Sequence, residues 1–311
     1  MKHLKIFAVG AMLPLMAACS SSATDDVTPT TDGAKLRHLV ITQTADEASR
    51  AIITESDATL AASWKSGDRL TYYNFNLSES DAQTGQYVHS TGPLTATTTA
   101  ATSAFEGEVT CTQGDALAVV YPAVDKFSPV SGSSTTKAKY SISLSGQDGT
   151  LATLAESFHY VYGVATVTAV TETTATATMG TTTSLLTVCK FSFVDGSGSP
   201  IAISSLTISY GGNGSDHGTY PQTATVTCSD TQEAVSVAGD VKSLAEGGKP
   251  LTVTPASTLN AVYVALLPTT NARTFCFTVT DGSGATYSGE ADAQLTAGEY
   301  VPATGLVLAK Q

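Results

Sequence analysis

A chain of 311 residues with 15 Lys and Arg against 27 Asp and Glu carries a formal charge of −12. An acidic chain without a basic cluster is a poor binder of nucleic acid, because neutralising phosphates requires grouped cations. Charged residues make up only 14% of the chain, and Thr, Ser, Ala and Gly supply much of the rest. This composition favours a secreted, β-rich protein over a cytosolic enzyme.

The first residues have the pattern of a secretory signal. A start with two lysines is followed by an apolar run over 6–15, and two alanines precede Cys19. The run is too short to span a membrane, which takes about 20 helical residues. A cysteine after small residues resembles the lipobox of bacterial lipoproteins, in which the thiol is acylated and becomes the new N-terminus. We predict a lipoprotein signal over 1–19, lipidation at Cys19 and a flexible tether over 20–34. The alternative is an ordinary signal peptide with a chance cysteine.

Beyond the signal, apolar residues recur with a period of two, which indicates β-strands. The breaks between these runs are Gly, Asp and Ser turns, and two of them share the sequence Asp-Gly-Ser-Gly at 195–198 and 281–284. Only 151–157 has a weak helical pattern, of one short turn at most. Many short strands separated by such turns predict an all-β fold of β-sandwich type. The predicted strands are 37–42, 69–75, 105–109, 116–121, 139–144, 160–170, 185–194, 201–210, 224–228, 261–267, 274–280 and 300–308.

The length after the signal suggests two domains. A turn-rich break at 145–149 divides the chain into an N-terminal β-sandwich over 35–149 and a C-terminal β-sandwich over 150–311, each able to bury a core. The Thr-rich run 171–184 is then a strand and loop of the second domain. The alternative for this run is a disordered linker.

The four cysteines after the signal have no metal-binding pattern. They are far apart and form no Cys-x-x-Cys pair. The secreted compartment permits disulfides, and a bridge between two of the last three stays open. We favour buried free thiols, since Cys189 shares a strand face with Phe191 and Phe193. The cysteines are Cys111, Cys189, Cys228 and Cys276.

No motif of catalysis or metal binding stands out, and we predict neither an enzyme nor a cofactor. Asp216 and His217 lie in a Gly-rich segment and are candidates for a metal or acid–base site, although a plain hairpin loop explains them better. Asp68 is expected to be a turn residue. Trp64 is the only tryptophan, which weakens a sugar-binding site built on stacked aromatic rings.

Four short motifs follow one another along the chain. They are Trp-Lys-Ser-Gly-Asp-Arg-Leu at 64–70, Phe-Glu-Gly-Glu-Val at 105–109, Ala-Val-Val-Tyr-Pro-Ala at 118–123 and Leu-Thr-Ala-Gly-Glu-Tyr at 295–300. Their order resembles the fimbrillin family, the lipoprotein pilins and pilin-like proteins of Gram-negative anaerobes. The likeness covers most of the chain after the signal, from about residue 36 to 310.

The resemblance implies two tandem transthyretin-like β-sandwich domains and assembly by strand exchange. In that family a protease cuts after a basic residue that follows the first strand, and a strand from another subunit fills the vacancy. Carried onto this chain, the first strand is about 36–44 and the cut falls between Arg50 and Ala51, with Arg37 and Lys35 as competitors. The donor segment is about 300–309, unless that run completes its own domain.

The predicted function is therefore that of a fimbrial (pilus) subunit, or of a fimbrillin-like tip or minor component. It is exported to the cell surface and outer membrane as a lipoprotein, has other pilin subunits as partners and serves cell adhesion. The alternative is a surface lipoprotein that binds glycans, which requires an exposed aromatic platform.

Overall fold

The computed structural model describes residues 34–44, 52–56, 59–77, 92–130, 137–231 and 235–311. Strands account for most of this part of the chain. They are β1 (Lys35–Thr44), β2 (Ile52–Ser56), β3 (Thr59–Ser63), β4 (Arg69–Asn74), β5 (Leu94–Ala96), β6 (Thr102–Cys111), β7 (Ala116–Tyr121), β8 (Ser128–Pro129), β9 (Lys137–Ser143), β10 (Val161–Val170), β11 (Thr174–Ser184), β12 (Thr187–Val194), β13 (Ile203–Tyr210), β14 (Thr223–Ser229), β15 (Ser236–Gly239), β16 (Leu251–Val253), β17 (Val262–Leu266), β18 (Arg273–Asp281), β19 (Thr286–Ala293), β20 (Tyr300–Val307) and β21 (Ala309–Lys310).

The helical content is small, as the weak pattern at 151–157 predicts. A short α-helix, α1 (Leu151–Thr153), continues into one π-helical turn, Leu154–Phe158, and a 3-10 turn covers Leu244–Glu246. The hydroxyl oxygen of Thr150 caps α1 by accepting a hydrogen bond from the Thr153 amide at 3.2 Å. The all-β prediction is confirmed, whereas the arrangement as two tandem transthyretin-like sandwiches stays a prediction.

The strands form one sheet that closes on itself and several open ones. The closed sheet has the order β1-β11-β10-β7-β4-β5-β6. The open sheets have the orders β17-β12-β20, β16-β13-β18-β19-β21 and β15-β14-β9-β8, and β2 pairs with β3 as a hairpin. The Thr-rich run predicted as either strand or linker is strand β11, so the disordered alternative is wrong.

The residues from Gly33 to Gln311 form one compact unit. Sheet pairing crosses residue 150 in both directions. Strands β10 and β11 lie after it and complete the closed sheet, whereas β9 lies before it and pairs with β14. The division into 35–149 and 150–311 stays a prediction.

Two hydrophobic cores meet at strands that are shared between them. Leu117, Val119 and Tyr121 of β7 point into the closed sheet, and the alternating Ala118 and Val120 point out of it into the second core. Strand β4 divides its side chains between the two cores in the same way. Both faces are therefore buried, which explains why these segments read as nearly continuous apolar runs rather than as an alternation.

The two Asp-Gly-Ser-Gly segments form the same turn, as their sequences predict. Asp195 accepts hydrogen bonds from the amides of Ser197 and Ser199 at 2.8 and 3.0 Å. Asp281 accepts them from the amides of Ser283 and Ala285 at 2.8 and 2.9 Å. In each case a carboxylate replaces strand pairing at the reversal of the chain.

Gly149 lies at the predicted boundary between the two domains, and its substitution tests how closely this turn packs against Val262. A methyl group at this residue would lie 2.7 Å from Cγ1 of Val262, on a backbone with φ +77°. Gly149→Ala should lower the free energy of unfolding by about 2–4 kcal/mol, from backbone strain plus overpacking. Gly198→Ala is the matched control, because φ is +83° there but nothing lies within 4 Å, and should cost only about 1–2 kcal/mol. Equal losses in urea unfolding would show that Val262 does not constrain this turn.

Candidate functional site

The first strand closes the seven-stranded sheet. β1 pairs antiparallel with β6 from Lys35 opposite Cys111 to Thr44 opposite Thr102. On its other side it pairs in parallel with β11, from His38 opposite Thr174. Without β1, both β6 and β11 would expose a row of unpaired backbone groups.

β1 also supplies part of the core inside that sheet. Leu39 and Ile41 are completely buried there, in a cluster to which every strand of the closed sheet contributes. Leu36 lies on the opposite face and is 56% exposed. The place of β1 is therefore an apolar groove flanked by two strand edges, and we call it the β1 groove. It is bounded by β6 and β11 and lined by the core cluster Trp64, Leu70, Tyr72, Leu94, Ala96, Phe105, Val109, Cys111, Leu117, Val119, Tyr121, Ala165, Val167, Ala175 and Ala177.

A cation occupies one end of the β1 groove. The Arg37 side chain is buried, with 1% exposure. Its Nε donates a hydrogen bond to the Thr171 carbonyl at 2.7 Å, and its Nη1 donates one to the Cys111 carbonyl. Burial raises the pKa of the Cys111 thiol to about 11; Asp115 acts in the same direction, and Arg37 acts against it. Arg37 is thus held inside the sheet, which makes it a poor competitor for a protease cut.

The hairpin β2–β3 is fixed to the second half of the chain by one carboxylate. Glu55 accepts hydrogen bonds from Lys190 Nζ at 2.7 and 2.9 Å, from the Tyr263 hydroxyl at 2.6 Å and from the Tyr300 hydroxyl at 2.5 Å. These donors come from β12, β17 and β20, so one side chain contacts all three strands of that sheet. The pKa of Glu55 is lowered to about 2, first by the bond from Lys190 and then by the two tyrosines.

The predicted lipidation and processing residues Cys19, Arg50 and Ala51 lie outside the described residues. Arg50 is preceded in the sequence by β1, which ends at Thr44, and followed by β2, which begins at Ile52. Sequence position therefore puts the candidate cut between the strand in the groove and the hairpin held by Glu55.

The candidates for catalysis have structural roles. Asp216 forms an ion pair with Arg273 at 2.5 Å, and the Arg273 guanidinium lies 3.8 Å from the ring centroid of Tyr210. Asp68 accepts a hydrogen bond from the Lys65 amide at 2.6 Å, as expected of a turn residue. Among the described residues, no group of three or more His, Cys, Asp or Glu side chains has the arrangement of a metal site.

Trp64 does not form an exposed platform. It is buried and packs edge-on against Phe105 and Tyr121, with ring centroids 4.8 and 5.4 Å apart. Trp64 is therefore not available for the exposed aromatic platform that the glycan-binding alternative requires.

The four cysteines among the described residues are free thiols. Cys111, Cys189 and Cys228 are buried, as predicted, and Cys276 is half-buried. In the part of the chain that the structure describes, no helix has the length and apolar character needed to cross a membrane.

The segment 300–309, predicted as a strand donor, is paired within its own chain. β20 lies parallel to β12, from Tyr300 opposite Val188 to Val307 opposite Val194. After Leu308 the chain moves to another sheet, where β21 pairs with β19. The structure therefore agrees with the alternative, in which this run pairs with strands of its own half of the molecule.

Sequence reasoning missed the roles of Arg37 and Glu55. A cation two residues before an alternating aliphatic pair was a signal that Arg37 shares their face, but its carbonyl partners come from distant segments. For Glu55 the hairpin itself was not predicted, and nothing local indicates that a lysine 135 positions away faces it.

No family model and no curated protein matches the chain. It is similar to two solved structures, each described as a "putative cell adhesion protein". The one from Bacteroides uniformis is 14% identical, with a TM-score of 0.53 over 90% of this chain and 97% of that one. The one from Bacteroides ovatus is 14% identical, with a TM-score of 0.52 over 90% and 96%. At this identity the likeness shows a shared fold.

Truncation of an inward side chain of β1 tests how much the strand contributes to the core. Leu39→Ala should lower the free energy of unfolding by about 2–5 kcal/mol, because it leaves a cavity inside the closed sheet. Thr42→Ala, on the exposed face of the same strand, should change it by no more than about 0.5 kcal/mol. Urea unfolding of both variants measures the difference. Similar values for the two would mean that β1 only covers the sheet.

The Glu55 cluster predicts a defined pH dependence. The pKa of Glu55 is lower in the folded chain than its ordinary 4.5, so its stabilising effect is complete above pH 4.5 and is lost as pH falls towards 2. Glu55→Gln should lower the free energy of unfolding by about 1–3 kcal/mol at pH 7 and remove this part of the acid dependence. Glu106→Gln is the control, since its carboxylate is 42% exposed and 3.6 Å from His38. An unchanged acid limb in Glu55→Gln would contradict the assignment.

Proposed function

We propose that this chain is a pilus subunit or a pilin-like adhesin of the cell surface, assembled by strand exchange through the β1 groove. Its role is structural rather than catalytic, and no cofactor takes part. The observation that carries the proposal is the position of β1. It is the first strand of the described residues and fills a slot in a closed sheet, and a basic residue follows it in the sequence.

Filling the β1 groove with another strand is more favourable than leaving it empty. Removal of β1 uncovers the apolar groove around Leu39 and Ile41 and leaves two strand edges unpaired. An alternating segment from a second molecule satisfies the backbone groups and the apolar face together. The vacancy is therefore an acceptor for a strand of another subunit.

Processing at Arg50 would release β1 while keeping the rest of the chain in place. The new N-terminus would be Ala51, directly before β2. The Glu55 cluster lies only a few residues further on and binds this hairpin to β12, β17 and β20. A cut at Arg50 would thus separate the strand from its anchored neighbour.

Export as a lipoprotein through Cys19 accords with this role. The signal over 1–19 and the tether over 20–34 would deliver the folded chain to the outer membrane, where a surface protease meets it. The shared fold with the two Bacteroides structures described as putative cell adhesion proteins supports a place at the cell surface. Adhesion and the assembly of a fimbrium with other pilin subunits are the functions that follow.

Cleavage and a reversible lock test the proposal together. An arginine-specific protease should convert the purified chain to a form whose N-terminal sequence begins at Ala51 and which forms oligomers in light scattering. The lock is Val40→Cys with Glu106→Cys, two positions that lie directly opposite each other on β1 and β6. Their Cβ atoms should be about 4.5–5.5 Å apart, near the range of a disulfide.

The locked protein should be cut at the same bond, keep the β1 fragment and remain monomeric until a reductant is added. Arg50→Ala should resist the cut and stay monomeric throughout. Oligomers that form with the lock still oxidised, or a cut chain that releases β1 and remains monomeric in concentrated solution, would rule out exchange through this groove.

A further inference from the structure

The Arg37 end of the β1 groove differs chemically from the rest of it. Most of the groove is apolar, but the guanidinium lies between the carbonyl of Cys111, at the end of β6, and the carbonyl of Thr171, just after β10. The buried Asp115 carboxylate lies nearby, since it accepts a hydrogen bond at 2.9 Å from the amide of Thr112, the residue after Cys111. This end therefore presents oxygen acceptors rather than apolar side chains.

Departure of β1 would leave these oxygens facing the groove without their cation. A buried carbonyl that loses its donor costs free energy, and an aliphatic side chain in the same place would keep water out without replacing the hydrogen bond. An acidic side chain would add repulsion from Asp115. A side chain that carries hydrogen-bond donors can satisfy these carbonyls, and among such side chains a basic one also gains from attraction to the Asp115 carboxylate.

The next two inward positions of β1, which Leu39 and Ile41 occupy, require apolar side chains. Leu39 lies opposite Gly107 of β6, and Ile41 lies opposite Phe105. The place of the missing side chain at Gly107 is filled from β5, since a methyl group there would lie 2.8 Å from the Pro93 carbonyl oxygen and 3.1 Å from Cδ2 of Leu94. Gln43, at the far end, is again polar and buried.

We propose that the β1 groove selects a donor strand with a basic residue at the Arg37 position, followed at alternating positions by two aliphatic residues and an uncharged polar one. The inference rests on the proposed strand exchange and specifies the partner: a strand of another subunit that reads cation-x-aliphatic-x-aliphatic-x-polar. The cation fixes the register, because a shift by two residues would place it among the apolar side chains. Arginine fits better than lysine, since its planar fork reaches two carbonyls on separate segments.

The test uses the full chain with a site for a sequence-specific protease inserted between Ala48 and Ser49, so that release of β1 does not depend on Arg50. After cleavage and removal of the protease, a fluorescent peptide of residues 34–44 is exchanged into the groove. Unlabelled variants of the peptide then compete with it, and anisotropy measures their affinities.

Arg37→Leu should weaken peptide binding by about tenfold to a hundredfold, Arg37→Lys should fall between it and the native peptide, and Arg37→Glu should bind worst. His38→Ala, on the outward face, should stay within about threefold of the native peptide, since its contacts with Glu106 and Glu108 are exposed. A native-like affinity for Arg37→Leu would overturn the selection by charge and leave strand exchange standing. Failure of the native peptide to enter the groove would overturn both.

Discussion

Closure of the seven-stranded sheet by β1 is the constraint on which the rest of the molecule depends. The strand pairs on both sides and buries Leu39 and Ile41 in the interior. Strands β4 and β7 bury their other faces in the second core. A change that destabilises the closed sheet therefore also destabilises β4 and β7, which contribute side chains to the second core. A vacancy at β1 would therefore be costly to the whole chain, and in the proposed exchange that cost would favour filling it with another strand.

Two charged side chains lie on either side of the candidate cleavage site in the sequence: Arg37, which is buried, and Glu55, which is half-buried. Arg37 belongs to the strand that would leave, and Glu55 belongs to the hairpin that would stay. Glu55 is bound by a lysine and two tyrosines of three strands, so its contacts survive a cut at Arg50. The contacts of Arg37 with the Cys111 and Thr171 carbonyls end when β1 departs. In the proposed exchange, the contacts of Glu55 would thus be kept, whereas those of Arg37 would be replaced by contacts from the incoming strand.

The fold was predictable where a segment alternates and is bounded by turn residues. Positions 116–121 are predicted to the residue, and the strand at 274–280 is found as β18. β19 was missed because its inner face is only weakly apolar: in its sequence, TYSGEADA, Tyr287, Ala291 and Ala293 pack against the core and Gly289 adds no side chain. β11 stayed ambiguous because Thr and Ala suit both a strand and a linker. The parallel pairing of β1 with β11 joins His38 to Thr174, and no local pattern contains that information. The alternation places Arg37 on the face of Leu39 and Ile41, but its two carbonyl partners lie far away in the sequence, at Cys111 and Thr171.

The proposed exchange also explains why a cut would come first. A β1 strand that is covalently attached competes for its groove at a high effective concentration, of the order of millimolar for a short flexible connection. A strand from another subunit with equal contacts cannot displace it at the concentrations at which proteins meet. Cleavage at Arg50 would remove this advantage without changing one contact in the groove, so that the two strands compete on affinity alone. Under these conditions the fit of a cation between two carbonyls would decide which strand remains.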